Sequence, residues 1–143
     1  MSTRIYEARF AELTVDDLYA LLRLRVDVFV VEQACAYPDL DGRDVEPSTR
    51  HIWITDGDRP AAYARIIADA SGARIGRVVT AAPHRRRGLA EKLIRHALAT
   101  TAGAVVLDAQ SPLVPWYRRF GFEAVGEEYV EDGIPHVPMR LLR

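Results

Sequence analysis

The stretch that most constrains the fold is a strand, a turn and a helix in direct succession, followed at once by a second strand. Residues 73–81 (ARIGRVVTA) are apolar and rich in β-branched side chains, as strands are. Residues 86–100 predict a helix whose apolar side chains share one face: Leu89, Leu93, Ile94, Ala97 and Leu98. Residues 103–110 (GAVVLDAQ) are a short apolar run, typical of a strand buried on both faces. If the two strands are parallel, they form a right-handed βαβ unit.

The rest of the chain extends this unit to an α/β fold. Its patterns predict a strand in residues 4–13, a helix from Thr14 to near Gln33, a hairpin over 51–68, a short helix over 111–120 capped by Ser111, and two strands around the EDGIP turn. This order predicts a central mixed β-sheet with helices on both faces. No linker or repeat divides the 143 residues, so we expect a single domain over 1–143.

Composition excludes several classes of protein. Lys and Arg total 19 against 20 Asp and Glu, and this balance opposes a dedicated nucleic-acid binder. A single cysteine, Cys35, excludes an intramolecular disulfide and a cysteine-built zinc site. No apolar run approaches the roughly 20 residues that span a bilayer, and the N-terminus lacks the apolar core of a signal peptide. We expect a cytoplasmic protein without a metal, nucleic-acid or membrane partner.

Two charged features have ordinary interpretations. Residues 34–49 form a loop by their prolines and their Asp-Gly pair, and they carry four acidic residues: Asp39, Asp41, Asp44 and Glu46. Such runs are usually solvated surface, and the alternative is attraction of a cationic substrate. Arg25 falls on the apolar stripe of the first predicted helix (Leu18, Leu21, Leu22, Val26 and Phe29), where we expect it to snorkel at the edge.

The turn RRRGLA, between the strand and the second helix, predicts an anion site. The first amides of a helix lack internal partners, and the helix dipole adds partial positive charge there. Gly88 lets the backbone approach a ligand, and arginine forks suit phosphate oxygens. The alternative is a helix that merely begins with exposed arginines, each unfavourable by roughly 0.3–1 kcal/mol. The Walker and dinucleotide patterns are both absent, so the residues alone indicate a phosphorylated ligand.

The motifs resemble one known family. Arg85-x-x-Gly88-x-Ala90, between strand and helix, is similar to the Gln/Arg-x-x-Gly-x-Gly/Ala motif of the GCN5-related N-acetyltransferases (GNAT). Tyr117, Gly121 and Phe122 match its Tyr-x-x-x-Gly-Phe element, while Gln110 stands where many members have Asn. The segments LRLRVDVFVVEQACAYPDLDGRD, RHIW and EDGIPHVPM resemble the ElaA-like subgroup, so the resemblance covers nearly the whole chain.

The resemblance implies an acyl-CoA N-acyltransferase fold whose two strands, near residues 75–80 and 104–109, splay apart around the donor. The donor would be acetyl-CoA, used as a substrate without a metal, and an amine of a small molecule or a peptide would attack it directly. It also implies the donor-binding residues: Val78, Val79, Thr80, Arg85, Arg86, Arg87, Gly88, Leu89, Ala90, Glu91 and Gln110. One amide of Val78, Val79 or Thr80 would polarise the thioester carbonyl.

For catalysis, the resemblance implies that Tyr117 is the general acid, whose ordinary pKa near 10 suits protonation of a departing thiolate. The alternative is a core tyrosine packed beside Trp116 and Phe120. Glu32 and His136 are the candidate general bases, ahead of His51, and a bound water is a further alternative. Cys35 lies in an acidic loop that disfavours a thiolate, which opposes a covalent acyl-enzyme.

Two other functions stay open at this point. One is a module of the same fold that binds acyl-CoA as a sensor without turnover, and the other is a nucleic-acid binder that uses the arginines. The acceptor is not identified by the sequence. Assembly as a homodimer is compatible with it and is left open.

Overall fold

The computed structural model describes residues 4–143 and contains one mixed β-sheet with helices packed on it. The strands are β1 (Ile5–Ala8), β2 (Arg50–Asp56), β3 (Arg59–Asp69), β4 (Gly72–Thr80), β5 (Val105–Gln110), β6 (Glu123–Ala124), β7 (Tyr129–Glu131) and β8 (Ile134–Leu141). The α-helices are α1 (Val15–Arg25), α2 (Leu89–Ala99) and α3 (Val114–Arg118). The strand order is β1-β2-β3-β4-β5-β8-β6, with β7 on β8. The predicted mixed α/β architecture is confirmed.

Alternation along the strands divides the core between the two faces of the sheet. Ile52, Ile54, Ala62 and Ala64 belong to a cluster that packs against α2 and also includes Leu93 and Ile94. Trp53 and Tyr63, on the opposite face, pack against Leu21, Leu24 and Val28 of the first helical segment. The prediction of helices on both faces is therefore confirmed. None of the helices within residues 4–143 is long and apolar enough to cross a membrane.

The first predicted helix begins as expected and then changes its geometry. Thr14 caps α1, since its hydroxyl accepts a hydrogen bond from the amide of Asp17 at 3.0 Å. From Val26 to Glu32 the backbone is π-helical, and the Gln33 amide bonds to the carbonyl of Val28, five residues earlier. Leu24 and Val28 are buried, whereas Val26, which belonged to the predicted apolar stripe, is exposed. A prediction based on the α-helical period was wrong from Val26 onward.

Other boundaries differ from the predictions for local reasons. The first strand ends at Ala8, and a 3₁₀ turn (Phe10–Glu12) follows it. Helix α2 starts at Leu89 because Arg86 and Gly88 have φ of 66° and 72°, which no α-helix accommodates. Ser111 does not cap a helix: it opens a 3₁₀ turn, and its hydroxyl lies 3.0 Å from a carboxylate oxygen of Glu128. The C-terminal part contains three strands rather than two, since the very short β6 was not predicted.

Candidate active site

A cleft opens between β4 and β5, whose parallel pairing is short. The paired residues are Ala73 with Val105 and Arg74 with Val106. Beyond them the strands separate toward their C-terminal ends, where α2 and α3 begin. Two cavities follow the gap, one of about 430 Å³ and one of about 610 Å³. Both are lined by Val78, Leu113 and Tyr117, so they are the two ends of one continuous cleft.

We name the ends by their surroundings. The larger cavity, beside the arginine-glycine turn, is the turn cavity, and the smaller one, beside residues 34–49 and the β7–β8 turn, is the loop cavity. Both volumes fall within the roughly 300–1,000 Å³ that is common for ligand pockets. A ligand that enters at the turn cavity therefore reaches the loop cavity through the gap between β4 and β5.

A β-bulge in β4 shapes the edge that faces this gap. Tyr63 pairs with Val79 and Arg65 pairs with Gly76, so two residues of β4, Arg77 and Val78, stand opposite the single residue Ala64. Arg77 adopts a φ of 52°. This left-handed conformation costs a residue other than glycine about 1–2 kcal/mol. The bulge is thus a strained feature that the surroundings of Arg77 have to maintain.

The turn cavity contains most of the predicted donor-binding residues. Nine of the eleven line it: Val78, Val79, Thr80, Arg85, Arg86, Gly88, Leu89, Ala90 and Glu91. The first amides of α2 have no partner within the helix and lie at this cavity. A Cβ atom built on Gly88 would meet nothing within 4 Å, so the glycine is required for its φ of 72° and leaves open space. Arg87 does not line the cavity, and Gln110 lies in the loop cavity instead.

Arg85 and Glu32, predicted for different roles, form an ion pair with each other. Two guanidinium nitrogens of Arg85 donate to the two carboxylate oxygens of Glu32 at 2.7 and 2.9 Å. The hydrogen bond from Arg85 lowers the pKa of Glu32 below its ordinary value. Glu32 lines neither cavity. The ion pair with Arg85 makes Glu32 a weaker base, and its predicted role stays a prediction.

Tyr117 lies where the two cavities meet. Its ring packs edge-on against Trp116 and Phe122, with centroids 4.8 and 6.1 Å away, and it is 6% exposed. Burial raises the pKa of its phenol above the ordinary value of 10.0, which keeps the hydroxyl protonated. Tyr117 therefore packs in the core and also lines the cleft.

The two candidate histidines have different environments. Nδ1 of His136 lies 2.8 Å from the carbonyl oxygen of Ile134, and because a carbonyl only accepts, that nitrogen carries the hydrogen. In the neutral ring Nε2 then has a free lone pair, and His136 lines the loop cavity. His51 is buried between the Tyr63 hydroxyl (2.7 Å) and the carbonyl of Asp44 (3.0 Å), and burial lowers its pKa. His51 thus has a structural position, whereas His136 lines the loop cavity and its predicted role as a base stays a prediction.

The acidic loop and Arg25 correct two expectations. Arg25 is 1% exposed and does not snorkel: its Nε and NH1 donate to Asp39 at 3.1 Å and to Asp44 at 2.7 Å. Asp39 and Asp44 are 4% and 6% exposed, so this part of the loop is not solvated surface. Each of these charges avoids the cost of burial by pairing with an opposite charge.

Two further arginines, from the sheet, complete the same cluster. Arg65 of β3 donates to Asp41 at 2.8 and 2.9 Å and to Asp44 at 3.1 Å. Arg77 NH2 donates to the main-chain oxygen of Asp39 at 3.1 Å, and its Nε lies 3.0 Å from Asp39 Oδ1 without the alignment of a hydrogen bond. We call the six residues the ion cluster: Arg25, Asp39, Asp41, Asp44, Arg65 and Arg77. Burial alone would raise the pKa of Asp44, but Arg25 and Arg65 outweigh it and lower the pKa.

The ion cluster is the part of the site that sequence reasoning missed. Arg65 and Arg77 lie in predicted strands and Arg25 lies on a predicted apolar stripe. Three arginines at positions that predict burial, together with three aspartates in one loop, were the available signal. The aspartates are neutralised by these arginines, so they do not provide the cationic-substrate surface that was the alternative interpretation.

The acidic side of the loop cavity comes instead from the β7–β8 turn. Glu131 and Asp132 line this cavity, and neither carboxylate has an ion-pair partner within residues 4–143. Cys35 also lines it, and its thiol lies 3.2 Å from the carbonyl oxygen of Asp132, which ties the acidic loop to the turn. The lining therefore combines a histidine with a free lone pair and two unneutralised carboxylates.

Comparison with known proteins identifies relatives over most of the chain. A family model described as an acetyltransferase (GNAT) domain matches residues 24–143. Protein ElaA of Escherichia coli is 43% identical over 137 residues, covering 90% of each chain. An acyl-CoA N-acyltransferase structure from Pseudomonas aeruginosa superposes with a TM-score of 0.89 at 39% identity, covering 96% of this chain and 99% of that one. The E. coli ElaA structure gives 0.88 at 38% identity, covering 96% and 98%.

Proposed function

Because this chain belongs to the GNAT acetyltransferase family and to its ElaA-like group, we propose that it transfers the acetyl group of acetyl-CoA to an amine by direct attack. The observation that carries the proposal is the continuous cleft between β4 and β5, with Tyr117 where its two cavities meet. The turn cavity binds the donor and the loop cavity receives an amine of a small molecule or a peptide.

The turn cavity has the chemistry that a coenzyme A pyrophosphate requires. The first amides of α2 are free to donate to phosphate oxygens, and the helix dipole favours negative charge there. Arg86 has no ion-pair partner in the described part of the chain, so its guanidinium is available to the same anion. Within residues 4–143, the edge of β4 that faces the gap has no strand partner beyond Arg74, which supports pairing with an extended donor arm.

The acid and the base are drawn from the two sides of the cleft. His136, with a lone pair on Nε2, takes the proton from the attacking amine. Tyr117 donates to the departing thiolate; its raised pKa keeps the hydroxyl protonated but also makes it a weaker acid than an exposed tyrosine. Glu131 and Asp132 give the loop cavity a negative field that attracts a protonated amine. These features support an amine acceptor and favour transfer over mere recognition of the donor.

The experiment that tests this function measures free thiol. The protein is incubated with acetyl-CoA and with polyamines, amino acids, aminoglycosides or peptides in turn. We expect thiol release that depends on the amine for at least one class. If the protein binds acetyl-CoA but releases no thiol with any of the four classes of amine, the result would contradict turnover and favour the sensor.

Replacing Gly88 with Ala tests the donor site. The new side chain disfavours the φ of 72°, and relaxation of the turn moves the first amides of α2. We expect the Kd for coenzyme A, measured by calorimetry, to rise about tenfold, given the size of the left-handed penalty. Gly103→Ala is the matched control, since Gly103 has a φ of 78° and equally open surroundings but lies outside both cavities. An equal effect of both substitutions on Kd would argue against the site.

Replacing His136 with Gln tests the base. The amide keeps a polar side chain but cannot take up a proton, so we expect kcat to fall about a hundredfold. The KM for acetyl-CoA should change little, because His136 lies outside the turn cavity. His96→Gln, in a residue that lines neither cavity, is the control. Full activity of His136→Gln would assign the base to another group or to water.

A further inference from the structure

The bulge of β4 is strained at a position where acyl transfer requires accuracy. Arg77 holds a φ of 52°, which glycine adopts readily and arginine does not. The next residue, Val78, lines both cavities, so the conformation of Arg77 sets the direction of the backbone that faces the donor. The main chain alone disfavours this conformation, so the contacts around Arg77, including those of its own side chain, maintain it.

The side chain of Arg77 is held by residues of the acidic loop. Its NH2 donates to the carbonyl of Asp39 at 3.1 Å and to Asp41 Oδ2 at 3.3 Å, and its guanidinium lies 5.4 Å from the ring centroid of Tyr37. The Tyr37 hydroxyl in turn donates to Asp39. The loop itself is fixed by Arg25, which reaches it from the first helical segment.

Asp41 links the two strands across the bulge. Its Oδ2 accepts from Arg65 NH2 of β3 at 2.8 Å and from Arg77 NH2 of β4 at 3.3 Å. Arg65 is also where the pairing of β3 with β4 resumes after the bulge. One carboxylate therefore restrains the irregular part of both strands from the face opposite α2.

We propose that Arg77 is a positioning residue, whose side chain, held by Asp39, Asp41 and Tyr37, keeps the β4 bulge in the conformation that presents the backbone of Val78 and Val79 to the acyl donor. The inference rests on the proposed function. It assigns the acidic loop, whose residues Tyr37 and Asp41 also line the loop cavity, a role in holding the backbone of β4.

The test compares Ala and Gly at Arg77. Both substitutions remove the same contacts, but only Gly accommodates the left-handed conformation without them. We expect Arg77→Ala to lower kcat strongly with a smaller change in the KM for acetyl-CoA, and Arg77→Gly to retain about tenfold more of kcat than Ala. At Arg74, also in β4 but with an ordinary strand conformation, Gly should be no better than Ala. Equal kcat for the two Arg77 variants would overturn the proposal.

A second measurement does not depend on turnover. Amide hydrogen exchange at Val78 and Val79 in the unliganded protein should be faster in Arg77→Ala than in the wild type, while the core amides of β2 stay protected. Unchanged exchange at Val78 and Val79 would overturn the proposal even if kcat falls. If the wild-type protein releases no thiol with any amine, the proposed function is refuted. The exchange experiment then tests by itself whether Arg77 holds the backbone of Val78 and Val79.

Discussion

Replacing Tyr117 with Phe is expected to lower kcat by at least about a hundredfold, the size of effect that a general acid contributes. The hydroxyl is the only group lost, and the ring keeps its edge-on contacts with Trp116 and Phe122. Because the pKa of the phenol is raised, wild-type activity should not decline near pH 10 through ionisation of Tyr117. Steady-state rates from thiol release, together with the Kd for acetyl-CoA, measure the effect.

The control for this substitution is Tyr6→Phe. Tyr6 stacks on Trp53 with centroids 5.8 Å apart and lines neither cavity, so the loss of its hydroxyl should leave kcat unchanged. Donor binding should survive in both variants. If Tyr117→Phe keeps the wild-type kcat, Tyr117 is a packing residue and the acid is another group. If no rate can be measured in any form but the donor still binds, the sensor interpretation gains support.

Replacing Arg25 with Met should have the largest effect on stability. The thioether fills the space of the arginine stem, but Asp39 and Asp44 lose their hydrogen bonds from Arg25 in a buried environment. Breaking a buried ion pair by removing one partner costs about 3–5 kcal/mol. We expect the free energy of unfolding, measured with urea, to fall by that amount.

Two further variants test the reason for this loss. Arg23→Met, on the same helix, removes an exposed arginine 3.8 Å from Asp27, and we expect at most about 1 kcal/mol. Arg25→Met leaves the ion cluster with two arginines against three aspartates, and adding Asp44→Asn restores the balance, so the double variant should be less destabilised than the sum of the two single variants. Simple additivity would show that packing of Arg25, rather than its charge, stabilises the fold.

The fold could be predicted because its signals are local. The βαβ unit depends on a β-branched strand, a strong amphipathic helix and a buried apolar run, and the structure has each of them. The π-helical segment Val26–Glu32 could not be predicted, since its sequence is compatible with an α-helix and the difference depends on packing. The same holds for β6, whose two residues carry no periodicity.

The site was only partly predictable, for a physical reason. The turn residues around Gly88 are contiguous in the chain, so a short motif identifies them. The residues of the ion cluster, from Arg25 to Arg77, span some fifty positions of the chain. No local sequence pattern predicts which arginine pairs with which aspartate over such separations. Likewise no local pattern predicts the ion pair between Glu32 and Arg85, which are 53 positions apart in the chain.

The ion cluster also limits how segments of this chain can be exchanged with those of other proteins. Residues 34–49 contain the three carboxylates of the ion cluster (Asp39, Asp41 and Asp44), but the three guanidinium groups that neutralise them belong to the first helix and to two strands. A chimaera that received the loop alone would acquire uncompensated negative charge, and one that received the helix or strands alone would acquire uncompensated positive charge. A chimaera therefore has to receive the loop together with Arg25, Arg65 and Arg77, although these residues are widely separated in the chain.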